Sequence, residues 1–369
     1  MVDKILRFLP ILILFDLFKW SIAILQIPHS YLRTLFVKPK IFQINDFLDH
    51  HKFIFIYASI EQKIGESSLN ILTTVRDLGG YIILVTNNSE YIFDDGVKLV
   101  CDVFIDNKNT GWDFAEYKQA SYYVYKNLEK ANFSKVIYAN DSVFYLPHNL
   151  KVQLYKMLDE DCDVVSVFDG AGTRNYHFGS WFVSISKHIF LDEVIRNFWS
   201  KFFEVKNKFY TVIRGEFGFS KSLLALLPKT HVIYNGLYIC DLKELSLKNL
   251  QYMSPRVHDD FFKQRSITYG NNDSNQDPLR DYISHNLGKY ALPQVLGPLL
   301  IKYCEMPFIK KDLFWNEFQS LSSIYFICSV LKEKVSEEYL NHIKAYYLKR
   351  GFISGAKYHI KILYFLGVR

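Results

Sequence analysis

Short runs of consecutive apolar residues alternate along the first half of the chain with segments in which apolar residues recur every three or four positions. The apolar runs are residues 52–58, 81–86, 100–105 and 136–139. Their length and β-branched content predict buried strands. Helical spacing between the first two runs predicts a helix from Ser67, a candidate N-cap, to Gly79-Gly80, and a second helix is predicted over residues 114–128. The order strand, helix, strand, strand, helix, strand is typical of a largely parallel sheet.

The pattern continues in the second half. A helix is predicted from Pro147 to about residue 158, and a strand over 163–168. A glycine-bearing loop at 169–173 leads to a strand near 180–185. Further helices are predicted over 190–203 and up to 227, after the stretch 211–220. Residues 270–277 are rich in Asn, Asp and Gly and predict an exposed loop or a lid.

The two ends of the chain differ from the middle. Residues 5–27 are apolar but interrupted by Arg7, Pro10, Asp16 and Lys19, whereas a membrane span needs about 20 largely uncharged residues. We predict a pair of interfacial helices at a membrane surface, with a core-packed helix and a membrane anchor as alternatives. Residues 314–369 are helical, basic and aromatic in pattern. They would either face the membrane or pack onto the sheet.

Composition and charge limit the classes of protein to which the chain can belong. The 369 residues are 49% hydrophobic and 22% charged, which are globular proportions. The net charge of +6 lies largely at the two ends, where it suits an anionic membrane surface. Nucleic acid would attract such ends equally, but no nucleic-acid motif is present. The five widely spaced cysteines include no Cys-x-x-Cys pair, which favours reduced thiols in the cytosol over disulfides or a zinc site.

Two stretches carry candidate chemistry. The strand at 136–139 ends in Asn140-Asp141-Ser142, and ligands of open α/β sheets bind beyond the carboxyl ends of the strands. A plain turn is the alternative. Before the helix at 114–128, Gly111 would let a ligand approach the backbone, and the helix N-terminus offers N–H groups to a phosphate. Asp113 would serve there as a ligand contact, as a favourable first-turn carboxylate, or as both.

An Asn-x-Gly turn, a helix and a strand ending in an Asp-containing tripeptide form an order that resembles nucleotide-sugar glycosyltransferases of the GT-A type. In those enzymes the tripeptide is usually Asp-x-Asp, and it holds a divalent cation and the donor pyrophosphate. Here only Asp141 carries a charge. The resemblance implies donor binding by Asn109, Gly111, Asp113 and the tripeptide, with Mg²⁺ or Mn²⁺ at Asp141, which is sufficient in principle.

More segments resemble the rhamnan synthesis F family of bacterial polysaccharide glycosyltransferases, in family order over about residues 50–313. The matching pieces are Asn109-x-Gly111-x-Asp113-Phe114, Asn140-Asp141-Ser142, Asp169 with Gly172-Thr173, Tyr176-His177 with Ser180 and Phe182, Glu216 with Gly218 and Ser220, and Met306-Pro307-Phe308-Ile309-Lys310-Lys311-Asp312-Leu313. Trp112, Gly179 and Trp181 depart from the Arg, Gln and Tyr common in the family. The missing Arg would transfer phosphate binding to Lys108, Lys118 or Arg174.

Glu216 is the candidate general base, because inverting GT-A enzymes often keep one at this place downstream of the tripeptide. The alternative for Glu216 is a first-turn carboxylate paired with Arg214. Asp169 is the second candidate base, and its alternative role is in a turn. His177, Ser180 and Arg174 would contact the acceptor or a phosphate, although His177 would also fit as a hydrogen-bonded core residue.

Together these features predict an α/β, GT-A-like (Rossmann-like), mostly parallel sheet domain over residues 49–313. Helical segments at 1–48 and 314–369 flank it. The expected function is inverting transfer of a sugar, with rhamnose or another deoxyhexose implied by the resemblance. The donor would be dTDP-, UDP- or GDP-linked and the acceptor a lipid-linked glycan of a lipopolysaccharide or O-antigen, on the cytoplasmic face of the membrane. A non-catalytic scaffold and a glycoside hydrolase, with carboxyl groups about 5–9.5 Å apart, are the alternatives.

Overall fold

A computed structural model describes most of the chain. The described residues are 2–93, 95–108, 111–170, 176–236, 252, 261, 282–283, 293, 296–311, 313 and 321–351. The predicted loop at 270–277 and the predicted site residues Asn109 and Arg174 lie outside them.

The strands and helices of the described residues alternate as expected. The strands are β1 Lys40–Gln43, β2 Phe53–Ser59, β3 Gly80–Thr86, β4 Val103–Asp106, β5 Lys135–Asn140, β6 Val143–Tyr145, β7 Val164–Ser166, β8 Asp169–Gly170, β9 His177–Phe178, β10 Phe182–Ser186, β11 Thr230–Val232 and β12 Phe308–Lys310. The helices are α1 Val2–Phe36, α2 Glu66–Asp77, α3 Asp95–Val100, α4 Asp113–Asn127, α5 Leu150–Met157, α6 Lys187–Leu191, α7 Glu193–Lys201, α8 Lys208–Tyr210, α9 Gly218–Leu224, α10 Gly297–Tyr303, α11 Leu321–Leu331 and α12 Glu337–Gly351, with a π-helical segment, Thr211–Phe217, between α8 and α9.

Eight strands form one mixed, mostly parallel sheet in the order β1-β4-β3-β2-β5-β10-β7-β11. Strands β4, β3, β2 and β5 run parallel, and β10 lies antiparallel between β5 and β7. Two short antiparallel pairs, β12 with β6 and β8 with β9, lie apart from the sheet. This confirms the predicted α/β class.

Helices cover both faces of the sheet, so its central strands are buried on both sides. In β2 alternate side chains enter different cores: Phe53, Phe55 and Tyr57 join one, and Ile54 and Ile56 join the other. The first core also contains buried residues of α2, α5, α10 and α12, and the second contains those of α4, α7 and α9. A continuous apolar run is the sequence signature of such a doubly covered strand.

Most predicted elements are found within a few residues of their expected positions, but three local predictions are wrong. The strand predicted over residues 100–105 begins only at Val103, because Val100 is the last residue of α3. Ser67 lies inside α2 and Gly65 is the N-cap; the Ser67 hydroxyl instead accepts a hydrogen bond from the Tyr145 backbone N–H. Asp169–Gly170 pairs with His177–Phe178 as a short strand rather than forming a loop.

The N-terminal segment forms one continuous helix, α1, not the predicted pair. Pro10 and Pro28 lie within it, and a proline interrupts a helix locally without always ending it. One face of α1 packs on the domain: Trp20 meets the Phe209 ring edge-on at 5.4 Å, and the Ser30 hydroxyl donates to the Glu204 carbonyl. In the part of the chain that is described, no helix combines the length and apolar character of a transmembrane span.

The described part of the C-terminal segment is helical, as predicted, and packs onto the domain. Tyr339, Ile343 and Tyr347 of α12 are buried. The hydroxyl of Tyr339 donates to the Tyr145 carbonyl, and that of Tyr347 donates to the Lys310 carbonyl. Of the two alternatives for this segment, packing onto the domain is what α12 shows.

Candidate active site

The polar edge of the sheet lies where the parallel strands end. Strands β2, β3, β4 and β5 end at Ser59, Thr86, Asp106 and Asn140 after runs of buried apolar residues. Because parallel strands end at the same edge, these polar residues lie along one side of the domain, together with the N-terminus of α4. This is the edge at which open α/β sheets bind ligands.

Asp141 lies at the centre of this edge and is held in one orientation. Its Oδ2 accepts hydrogen bonds from the Ser59 hydroxyl at 3.0 Å and from the backbone N–H groups of Ile60 and Glu61 at 2.7 and 3.1 Å. Burial raises the pKa of Asp141 to about 6, with Lys311 opposing the rise and Glu61 adding to it. The three donors leave Oδ1 as the oxygen that can face a ligand.

Asn140 joins the tripeptide to the start of α4. Its side-chain amide donates to Oδ2 of Asp113 at 2.8 Å, and its Oδ1 accepts from the Ser142 backbone N–H at 3.0 Å. The two predicted motifs, which lie 27 residues apart in the sequence, are therefore in direct contact. Gly111 lies two residues before Asp113, at a point where an added Cβ would overlap the Cβ of Ala115.

Strand β12 brings two lysines to the same place. It pairs with β6, so that Lys310 lies opposite Val143. The Lys310 ammonium donates to the Ser142 hydroxyl at 3.0 Å. The nearly buried Lys311 forms an ion pair of 2.5 Å with Glu61. The segment 306–311 thus closes over the tripeptide and supplies positive charge next to Asp141.

Glu216 reaches the site from the π-helical segment, a rare geometry that is frequent at functional sites. Its Oε1 lies 4.0 Å from the Lys208 ammonium, and its side chain is 20% exposed. Burial raises its pKa; Lys208 opposes the rise, Asp113 adds to it, and His177 and Lys310 oppose it. Arg214 forms no ion pair with it among the residues described, so Lys208 takes the place of the expected partner.

Asp169 and His177 lie on the two strands of the β8–β9 hairpin. Asp169 is half-buried, and burial raises its pKa while the Tyr176 hydroxyl lowers it. The His177 ring packs 4.6 Å from the Phe217 ring, directly beside Glu216 in the chain. The Ser180 carbonyl accepts a hydrogen bond from Tyr117. The hairpin therefore borders Glu216, whereas Ser180 is buried beneath it.

Glu116, on the first turn of α4, was not predicted. It is fully buried, its Oε1 accepts from the Asn87 backbone N–H at 3.0 Å, and its Oε2 has no hydrogen-bond partner in the described structure. Burial, Asp141 and Asp113 all raise its pKa well above the usual range. Trp112 Nε1, from the residue before α4, is also buried without a hydrogen-bond partner in the described structure.

A divalent cation would have one carboxylate oxygen available in the tripeptide, because both polar atoms of the Asn140 side chain and Oδ2 of Asp141 are occupied. Mg²⁺ often binds through one or two carboxylates, phosphate oxygens and water, so Oδ1 of Asp141 fits such an ion only together with a phosphate ligand. The described residues contain no group of three or more His, Cys, Asp or Glu side chains arranged for a metal.

Several residues of the site were not predicted from the sequence. Ser59, Glu61, Glu116 and Lys208 belong to no motif. Lys310 and Lys311 were in a matched segment, but only the β12–β6 pairing shows what they touch. The polar residue at the end of the first strand, Ser59, is the one signal that sequence inspection could have used.

Comparisons with known proteins identify the family of the chain and a distant structural resemblance. The family model of rhamnan synthesis protein F matches residues 82–345. No curated protein matches the sequence significantly. Among solved structures, a glycosyltransferase involved in the glycosylation of the major capsid of PBCV-1 is similar at 11% identity with a TM-score of 0.23, covering 40% of this chain and 65% of that one, just under two thirds of its length. The family match supports a role in polysaccharide synthesis.

Proposed function

Because the chain belongs to the rhamnan synthesis protein F family, we propose that it is a glycosyltransferase with a GT-A-like core. It would move a sugar, such as rhamnose or another deoxyhexose, from a nucleotide donor to a lipid-linked glycan. The observation that carries this proposal is the meeting of Asp141, Asp113, Lys310 and Glu216 at the carboxyl edge of the sheet.

The donor would lie across this edge with its diphosphate at the N-terminus of α4. There the helix dipole favours negative charge. Lys310 and Lys311 would stabilise the charge that develops on the leaving diphosphate. Asp141 would hold the ribose or the cation.

Glu216 would act as the general base of a single displacement with inversion. The acceptor oxygen forms a bond to the anomeric carbon while the bond from that carbon to the diphosphate oxygen breaks. The acceptor hydroxyl proton passes to Glu216, and the nucleoside diphosphate leaves. Asp169, which pairs with the His177 strand in the β8–β9 hairpin, would position the acceptor together with His177.

A divalent cation, if it binds, would be held by Oδ1 of Asp141 together with the donor and would neutralise part of the diphosphate charge. The site also carries carboxylates on Glu61, Asp113 and Glu216. An added positive charge would therefore assist the approach of an anionic donor.

The exposed face of α1 would rest on the inner leaflet of the membrane. Leu17, Phe18, Ile24, Leu25, Tyr31 and Leu32 form this α1 stripe, and all are more than half exposed. Positions seven residues apart fall on one side of a helix, so the stripe is continuous and opposite the face that contacts the domain. It would keep the protein peripheral to the membrane on its cytoplasmic side.

A thermal-shift screen tests the function. The wild-type protein is mixed with dTDP-, UDP- and GDP-sugars, with and without Mg²⁺ or Mn²⁺, and we expect one nucleotide to raise the melting temperature. Asp141→Asn keeps an acceptor for the three donors and should lower sugar transfer by about 10²-fold or more. Asp161→Asn, an exposed change on the α5–β7 turn, is the control. A non-catalytic scaffold would show no response to any donor, and a hydrolase would release free sugar from a glycan.

A further inference from the structure

A cavity of about 820 Å³ lies between α1 and the π-helical segment that carries Glu216. Its walls come from α1, α7, the π-helical segment, α9 and the turn before β9. This volume is within the range of small-molecule sites. None of the roles given above to Asp141, Asp113 or the lysines of β12 uses it.

The walls are partly aromatic. Trp20, Tyr176, Phe198 and Phe217 line the cavity, together with aliphatic side chains such as Leu224. Aromatic rings of this kind pack against apolar chains and against the faces of sugars. Apolar walls alone do not tell these two ligands apart.

The charged side chains of the cavity indicate that the ligand also carries a negative charge. Lys201, Arg214 and Lys221 line the cavity, and the described lining residues include no Asp or Glu. Three cations without a carboxylate favour an anion, and Arg binds phosphate oxygens through two parallel hydrogen bonds. A neutral sugar chain would account for the rings but not for the cations.

The position of the cavity links two features already described. Arg214 and Phe217 flank Glu216 in the chain, and Tyr176 precedes His177, so one end of the cavity adjoins the proposed base. Trp20 lies on the face of α1 that contacts the domain. The helix α1 therefore borders the cavity on one face and carries the α1 stripe that we assign to the membrane on another.

We propose that this cavity binds the phosphate-bearing, amphipathic end of the lipid-linked acceptor, with the phosphate at the three cations and the start of the lipid chain against the rings. The proposal rests on the proposed function for the identity of the acceptor. The acceptor hydroxyl would then approach Glu216 from the side opposite the donor diphosphate.

Binding of decyl phosphate to the full chain, measured by calorimetry below its critical micelle concentration, tests the proposal. Decanol and inorganic phosphate are the comparison ligands. We expect decyl phosphate to bind more tightly than either. Lys201→Gln combined with Lys221→Gln should weaken decyl phosphate binding by about tenfold or more and leave decanol binding unchanged.

The matched control is Lys151→Gln with Lys156→Gln. It removes the same charge from two exposed positions of α5, whose buried residues belong to the other core. The control should bind decyl phosphate like the wild type. Equal binding of decyl phosphate by wild type and by the Lys201/Lys221 variant would overturn the proposal. Inorganic phosphate binding as tightly as decyl phosphate would overturn the lipid assignment and indicate a free-phosphate site.

The donor screen keeps this result separate from the proposed function. The Lys201/Lys221 variant should retain the wild-type thermal shift with the donor, because neither lysine lies at the sheet edge. If the wild type binds decyl phosphate but responds to no nucleotide-sugar, the transferase assignment fails and the cavity assignment stands. If it responds to a donor but not to decyl phosphate, the reverse holds.

Discussion

At the scale of single residues, the site is unusual in the number of buried acids that it holds near one another. Asp141, Glu116 and Glu216 all have pKa values raised by burial. Each buried charge costs free energy unless it is paired or protonated. The fold keeps these groups although they weaken it, which is common where catalysis needs acids with altered pKa values.

The raised pKa of Asp141 makes stability depend on pH. Its folded pKa of about 6 lies above the ordinary 3.8, so the folded state holds the proton more tightly. This contribution to stability is fully present below pH 3.8 and is lost as the pH rises through 6. Between pH 5 and pH 7 the wild type should lose about 1 kcal/mol of unfolding free energy from this group.

The Asp141→Asn variant should not lose this unfolding free energy between pH 5 and pH 7. Denaturant unfolding of the wild type and the variant at both pH values measures the difference. The variant should gain stability relative to the wild type as the pH rises. An unchanged difference between the two proteins at both pH values would contradict the raised pKa. The exposed Asp161→Asn variant should follow the wild type.

The Lys208 ammonium affects the pKa of Glu216. Burial raises the pKa of Glu216, and the nearby Lys208 ammonium holds it lower than burial alone would. A base acts only when deprotonated, so transfer should fall as the pH drops through the pKa of Glu216. Lys208→Met should raise that pKa and move the acidic limb of the rate profile to higher pH.

The profile of kcat against pH checks this, with Lys206→Met, an exposed neighbour, as the control. Glu216→Gln should lose about 10²-fold or more of kcat and with it the acidic limb. If the acidic limb of the kcat–pH profile is the same in Lys208→Met and in the wild type, Glu216 is not the titrating base.

At the scale of elements, the π-helical segment and α4 form one support for the site. A Cβ added at Gly215 would lie 2.8 Å from Cγ of Phe114, and Phe114 follows Asp113. The absence of a side chain at Gly215 therefore allows the segment carrying Glu216 to approach the helix that binds the diphosphate in our proposal.

Gly215→Ala should destabilise the protein by about 1–3 kcal/mol through overpacking and should lower sugar transfer by displacing Glu216 or Asp113. Gly218→Ala is the matched control, because its nearest neighbour is the Phe198 ring edge at 3.3 Å and alanine favours a helix. The free energy of unfolding and kcat, measured on both variants, test this prediction. Equal effects would mean that the close approach at Gly215 has no special role.

The strands could be predicted from the sequence because their pattern is local. The site could be predicted only in part, because some of its contacts join distant segments. Strands β2, β3 and β5 are buried on both faces, so their apolar runs stand out in the sequence. The contact of Asn140 with Asp113 follows from the topology, since β5 ends and α4 begins at the same edge of the sheet. The pairing of β12 with β6, which brings in Lys310, depends on contacts across more than 160 residues, and no local pattern encodes it.

At the scale of the whole molecule, the domain presents three functional regions in sequence. The sheet edge would take the donor, Glu216 would stand between donor and acceptor, and the cavity beside α1 would take the acceptor. The α1 stripe would hold this arrangement against the membrane. The helix makes this possible because one of its faces is fixed to the domain by Trp20 and Ser30, so the opposite face has a defined orientation.

Replacing two residues of the α1 stripe tests the membrane contact. Leu25→Gln with Leu32→Gln removes exposed apolar side chains that would insert into the headgroup region, and we expect binding to anionic lipid vesicles to weaken by about tenfold. Vesicle co-sedimentation measures it. Leu48→Gln with Val152→Gln, both exposed outside α1, should bind vesicles like the wild type, since only apolar side chains on the stripe can enter the bilayer together. Loss of vesicle binding in both double variants would indicate a general effect of surface hydrophobicity, and retention in both would place the membrane contact elsewhere on the chain.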